Sequence, residues 1–295
     1  MTTDAIKMSA LSRLFSATVF REMAKTGRSK VFARLIGQAG LFDDGFTGQT
    51  VGEAFDTAFS HLRRSGKRDE YVYRAALTHN ILLGKHSLRT ASMLTEFRTG
   101  GCRADLVILN GTATVYEIKS DRDSLARLDN QIRHYQRVFA KVYVIAGAGH
   151  VDAVLAATPP EVGVLNLARW DRISTVRDAL ENLSSLNSET IFESLRTSEA
   201  REILVRLGGE PPDVPNTQMH RALRDCFSDL PPAFVHQEMV STLKRTRNLA
   251  AMNTLVDRLP ASLQPAALSI QVRRADHERL VQAVLTPFEE ALHWG

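Results

Sequence analysis

The amino-acid sequence predicts an α/β fold, a mixed sheet flanked by helices, with further helices added at both ends of the chain. Two observations carry this. After Gly84 the apolar spacing changes from a helical period to the alternation of a strand. Across residues 69–167 the elements follow in the order helix, three antiparallel strands, helix, strand, helix, strand, which builds one sheet with helices against it. A chain of 295 residues with 44% apolar content has ample material for such a core.

The first part of the chain reads as helical. Leu11, Leu14, Phe15, Val19 and Met23 share one side of an amphipathic stretch, and Lys7, Arg13, Arg21 and Lys25 lie on the other. Such a stretch packs in a core or lies on a membrane surface, and the packed helix is preferred. Thr50 and Glu53 have the spacing of a capping box, with Phe55, Phe59 and Leu62 following on one side. A helix fits Asp69 to Leu83, carrying Glu70 in its first turn and stopping near Gly84. Leu94 to Arg98, Ala104 to Leu109 and Thr112 to Ile118 alternate as strands, with Gly100-Gly101 and Asn110-Gly111 as turns. From Asp123 or Ser124 to Phe139 a helix aligns Leu125, Leu128, Ile132, Tyr135 and Phe139, with Asp121 and Asp123 read as its caps. Lys141 to Ala146 is almost continuously apolar, as a strand covered on both faces would be. A helix over 150–157 and a strand over 162–167 complete the core. Beyond Trp170 the pattern is helical to the end, interrupted by Pro211-Pro212, Pro215, Pro231-Pro232, Pro260 and Pro265. The expected organisation is a helical N-terminal extension over 1–65, a core over 66–170 and a helical C-terminal region over 171–295.

No run approaches the roughly 18 apolar residues of a membrane span, and Met1 to Ala10 lacks the apolar stretch of a signal peptide. A cytoplasmic protein without a membrane partner is therefore expected. Cys102 and Cys226 form no CxxC pair, and Cys102 is read as a packing residue. His220, Cys226 and His236 are too scattered for a metal site. Charge is uneven: Ser60 to Gly147 holds 15 Lys and Arg against 8 Asp and Glu, a net of +7, while the remainder holds 22 against 25. A basic middle third suits a polyanionic partner.

Two carboxylates bracket the second hairpin. Glu117 and Lys119 fall on one face of the third strand by alternation. Whether Asp105 joins them depends on the turn. A two-residue Asn110-Gly111 loop pairs Asp105 with Tyr116 and sends the acids to opposite faces. A three-residue Leu109-Asn110-Gly111 loop, with Gly111 left-handed, pairs Asp105 with Val115 and gathers all three. The second is preferred because it keeps Leu106 and Ile108 with Tyr116 and Ile118 on the other face. Two close carboxylates repel, and a hard cation such as Mg²⁺ between them removes the repulsion while keeping water in its open positions. Such an ion activates a bound water and stabilises a phosphodiester transition state. Lys119 then holds the water or offsets phosphate charge, and the Ile118 backbone carbonyl offers one more ligand.

Asp105, followed after a short hairpin by Glu117-Ile118-Lys119, resembles the D-(x)n-ExK signature of the PD-(D/E)xK phosphodiesterases, which include restriction enzymes and recombination nucleases. The wider runs Glu96 to Val107, Tyr116 to Ser120 and Val138 to Val144 resemble the sce7726 family of that superfamily, and the resemblance covers about Asp69 to Leu167. Ala104 stands where the signature has proline. Gln131 and Tyr135 have the QxxxY spacing of RecB-like nucleases, which would use them to steady the site and contact nucleic acid. The resemblance implies a restriction-endonuclease-like core and a Mg²⁺- or Mn²⁺-dependent nuclease acting on DNA, in phage defence or mobile-element biology. It implies Asp105 and Glu117 as metal ligands, with Glu70 or Glu96 as a further one. Arg98, Arg103, Arg127, Arg133 and Arg137 would line the substrate path, and a homodimer would help cut both strands. The alternative is a nucleic-acid-binding or scaffold protein that keeps the fold without turnover.

Overall fold

The apolar stripe from Leu11 to Met23 is buried, but it lies on two helices, α1 (Thr3–Leu14) and α2 (Ala17–Thr26), with a break at Phe15 and Ser16. A computed structural model of the chain describes residues 3–40, 46, 48–64, 68–121 and 123–294. α3 (Lys30–Ala39) starts at Ser29, whose side chain accepts the Phe32 N–H. α4 (Val51–Arg64) opens with the expected capping box. The Glu53 N–H donates to Thr50 Oγ1 and the Thr50 N–H to Glu53 Oε2, both at 3.2 Å. α5 (Glu70–Leu77) is capped by Asp69, whose carboxylate accepts the Val72 N–H at 3.3 Å. The rest of the helix expected to Leu83 widens into a π-helical turn, Thr78–Leu83.

The sheet follows. β1 (Ser92–Thr99), β2 (Cys102–Asn110) and β3 (Thr112–Lys119) form an antiparallel meander. α6 (Leu128–Gln136) leads to β4 (Lys141–Gly147), and α7 (Val151–Ala157) to β5 (Gly163–Leu167), so that β3, β4 and β5 run parallel. β6 (Ile173–Arg177) pairs antiparallel with β5 and ends a six-stranded sheet ordered β1-β2-β3-β4-β5-β6. The expected mixed sheet with flanking helices is present. β6 was not expected, because five residues, mostly polar, are too few to display a period. α6 starts later than expected because Asp123 does not cap it. Asp123 Oδ2 instead accepts from the Ser120 N–H at 2.8 Å and Oγ at 2.7 Å.

The helical stretch beyond β6 divides. α8 (Ser188–Phe192), α9 (Thr197–Arg206), α10 (Asn216–Ser228) and α11 (Pro232–Thr246) share a buried cluster with the sheet. Ile203, Leu223, Phe227, Met239 and Leu243 join Val107, Leu109, Val115 and Val144 there, together with Leu128, Ile132 and Tyr135 of α6. α12 (Asn253–Arg258), α13 (Gln264–Ser269), α14 (His277–Leu285) and α15 (Phe288–Ala291) instead group with α1 to α5. Phe15 stacks on Tyr71 at 4.5 Å, and the Tyr71 hydroxyl donates to the Ser262 carbonyl at 2.6 Å. The Val51 N–H donates to the Thr286 carbonyl, and the Phe288 N–H to that of Gln49. The compact units are thus Met1–Ile81 with Ala250–Gly295, and Leu82–Leu249, in place of the three consecutive regions expected. Amphipathic helices need a partner surface, and the sequence does not say which. The expected boundary between residues 65 and 66 lies outside the described residues. Among the described residues no helix is long and apolar enough to cross a membrane.

His236 of α11 is buried, and its Nε2 has no hydrogen-bond partner among the described residues. Burial lowers its pKa from the usual 6.5 to about 4. The unfolded chain therefore takes up the proton first, so the contribution to stability is whole above pH 6.5 and is lost as pH falls towards 4. The full effect is roughly 3 kcal/mol at about 1.4 kcal/mol per unit. Thermal melts are expected to show the unfolding temperature falling through this window, and His236→Leu to flatten that part of the profile.

Candidate active site

The β2–β3 ladder runs from Asn110–Thr112 to Leu106–Tyr116. Leu109 pairs with Ala113, and Gly111 takes a left-handed φ of +74°. The turn therefore lies one residue beyond the Leu109-Asn110-Gly111 loop expected, because fully buried Leu109 stays in the ladder opposite fully buried Ala113. Asp105 consequently comes level with Glu117 and not with Val115. Past the end of the ladder, the Ile118 N–H donates to Asp105 Oδ2 at 2.7 Å.

β1 bends at the same level. Glu96 lies between the Thr95–Leu106 and Phe97–Ala104 pairs, hence opposite Asp105, and has φ +51°. A non-glycine residue pays about 1–2 kcal/mol for that conformation. The alternation breaks with it: Ala104 and Phe97 enter the same buried cluster as Val107 and Val115, where regular strands would separate Ala104 from Val107.

Glu117 and Lys119 are 1% and 5% exposed. Lys119 Nζ donates to Glu117 Oε1 at 2.7 Å and to Gln131 Oε1 at 2.9 Å. Gln131 Nε2 donates to Glu117 Oε1 at 2.6 Å. The Tyr135 hydroxyl lies 2.6 Å from Glu117 Oε2 and 2.7 Å from the Arg103 carbonyl oxygen, so one proton serves two acceptors. Burial pushes the pKa of this hydroxyl far up, and the Glu117 carboxylate, followed by Asp105 and Cys102, pushes it further. The phenol stays neutral, and both carboxylates bear on it. Gln131 and Tyr135 reach the site together because they are one turn apart on α6.

The other expected residues separate. In a regular strand the N–H and C=O of one residue face the same neighbour, so the Ile118 carbonyl belongs to the Asp105 side. Glu70 lies in the other unit, ion-paired with Arg74 one turn along α5. Glu96 is exposed at its kink. Among the described residues no three His, Cys, Asp or Glu side chains gather to hold an ion, so neither glutamate joins Asp105 and Glu117. Arg98 and Arg103 are exposed and face each other across β1 and β2; Arg127 is exposed just before α6. Arg133 is ion-paired with Asp129, and Arg137 is exposed.

Cys102 is the residue that sequence reasoning passed over. Asn130 Nδ2 lies 3.7 Å from its Sγ. Burial raises the thiol pKa, Glu117 raises it further, and Arg127 opposes them. Nothing in its spacing announces this, since residues 102, 117, 127 and 130 meet only through the hairpin and α6. Glu117→Gln removes the charge that holds this thiol protonated. Cys102 is therefore expected to alkylate severalfold faster at a given pH, with Cys226 as the internal reference. An unchanged rate would place Glu117 elsewhere.

Comparison with known proteins gives a consistent family. A family model described as Bacteriophage P4 protein cII matches residues 63–269. Protein cII of Enterobacteria phage P4 is 29% identical over 184 residues, 60% of this chain and 67% of that protein. The solved SPO1766 protein of unknown function from Silicibacter pomeroyi matches at 23% identity, over 40% of this chain and 80% of its own, with a TM-score of 0.28 that supports no argument about fold. The family match spans more than half of the chain, every strand of the sheet and the whole Asp105, Glu117, Lys119, Gln131 and Tyr135 set, and the chain belongs to the family of bacteriophage P4 protein cII.

Proposed function

We propose that the chain is a metal-dependent nuclease of the PD-(D/E)xK kind, hydrolysing phosphodiester bonds in DNA through Asp105, Glu117 and Lys119. One observation carries the reading: Glu117, Lys119, Gln131 and Tyr135 form a single hydrogen-bonded group, and Asp105 adjoins it through Ile118. The donor set fits the metal. Two carboxylates and a backbone carbonyl, all oxygen, suit a hard divalent cation that keeps several waters and takes its remaining ligands from a phosphate.

Held by Asp105, Glu117 and the Ile118 carbonyl, Mg²⁺ or Mn²⁺ would supply Lewis-acid stabilisation of the phosphate and a more acidic bound water. The chain's own groups orient the rest. Lys119 Nζ, anchored by Gln131 Oε1 as well as Glu117, is placed to hold the attacking water or to offset charge on the scissile phosphate. Gln131 and Tyr135 fix the Glu117 carboxylate in one orientation. Arg98, Arg103 and Arg127 offer contacts to the phosphodiester backbone. The phage origin of the relative supports a setting in mobile-element biology.

A second reading, a nucleic-acid-binding or scaffold protein without turnover, draws on one feature. Both oxygens of Glu117 already have protein partners, as in a purely structural ion pair.

Incubating the protein with single-stranded, duplex and branched DNA tests the two. Cleavage that requires Mg²⁺ or Mn²⁺ is expected, falling by about a hundredfold or more in Asp105→Ala, Glu117→Gln and Lys119→Met. Tyr135→Phe and Gln131→Ala are expected to cost about tenfold to a hundredfold, as residues that hold a ligand do. Activity equal to wild type in Glu117→Gln refutes the assignment. Metal-independent DNA binding without cleavage, undiminished by Asp105→Ala, favours the second reading.

A further inference from the structure

β6 ends the sheet, and one of its two edges faces no other strand. Arg172, Ser174, Val176 and Asp178 alternate along it on one face, and all are exposed. Leu180 extends the series; Val176 is 45% and Leu180 61% exposed. The opposite face is tied down. Ile173 and Arg177 are half-buried, and Arg177 Nε donates to the Val162 carbonyl at 2.7 Å. Arg172 and Asp178 form no ion pair among the described residues.

These opposite charges stand three residues to either side of Thr175. We propose that a second copy of this chain adds to this edge, β6 against β6, antiparallel about a two-fold axis at Thr175. Antiparallel pairing centred there sets Arg172 of each copy against Asp178 of the other, Ile173 against Arg177 and Ser174 against Val176. Both charge pairs form, because an isologous interface repeats every contact. Shifting the register by two residues either way leaves both charges unmatched, so the sequence of the edge selects one alignment. The N–H and C=O groups of the free edge gain partners, and Val176 comes to lie within the joined sheet. The inference does not rest on the reading of the acidic site, which lies on β2, β3 and α6.

Sedimentation velocity on the full chain across a concentration series tests this. A reversible monomer–dimer equilibrium is expected for the wild type. Asp178→Arg alone, or Arg172→Asp alone, turns two attractive contacts into two repulsive ones and is expected to weaken dimerisation by about tenfold or more. The double swap Arg172→Asp with Asp178→Arg restores complementarity and is expected to restore the dimer. All four positions in the pairs are exposed, and circular dichroism checks that each variant folds. A wild type that is monomeric throughout, single swaps without effect, or a double swap that fails to recover association would each overturn the proposal.

Discussion

A carboxylate at 1% exposure is costly to keep unless its oxygens are satisfied, and Glu117 imposes that requirement on everything around it. Lys119 two residues along the same strand and Gln131 and Tyr135 on the next helix meet it. Satisfying Glu117 fixes where α6 docks on β3. Through the Arg103 carbonyl, the same Tyr135 hydroxyl also fixes where the β1–β2 hairpin lies. A buried ion pair of this kind contributes little net stability compared with apolar packing. What it does specify is one arrangement of three elements, and that arrangement is the candidate site.

A second buried carboxylate does related work on the far side of the hairpin. Glu199 of α9 accepts from Arg247 Nε at 2.8 Å and Nη2 at 2.6 Å, from the Arg196 N–H and from Thr246 Oγ1. Burial alone would raise its pKa, but the bidentate Arg247 and the other donors bring it below the ordinary carboxylate range. The Arg247 guanidinium also lies over the Phe97 ring at 5.5 Å. Phe97 is the residue after the bend at Glu96. The C-terminal helices α8 to α11 are therefore part of the sheet's own core, and they brace the strand whose distortion ends the β2–β3 ladder.

Much of the site was legible because its parts are local. The alternation that puts Glu117 and Lys119 on one face and the single helical turn between Gln131 and Tyr135 are properties of short segments. What escaped was the level of Asp105, since a turn can slip by one residue while keeping its glycine left-handed. Burial of Leu109 and Ala113 decided that slip. Glu96 and Cys102 escaped for a related reason: the bend in β1 and the approach of Asn130 exist only once hairpin and helix have met.

By itself the sequence determined the periods, the caps and the turns: the capping box at Thr50 and Glu53, the Asp69 cap, the Gly100-Gly101 and Gly111 turns, and the strands up to β5. Those depend on backbone conformation and nearest neighbours. Only the tertiary structure decided that α12 to α15 return to the N-terminal helices while α8 to α11 stay with the sheet, that Glu70 lies apart from Asp105, and that β6 forms at all. An amphipathic pattern records which side of an element avoids water. It does not record which surface takes that side in, and that choice is made by the burial of the whole core at once.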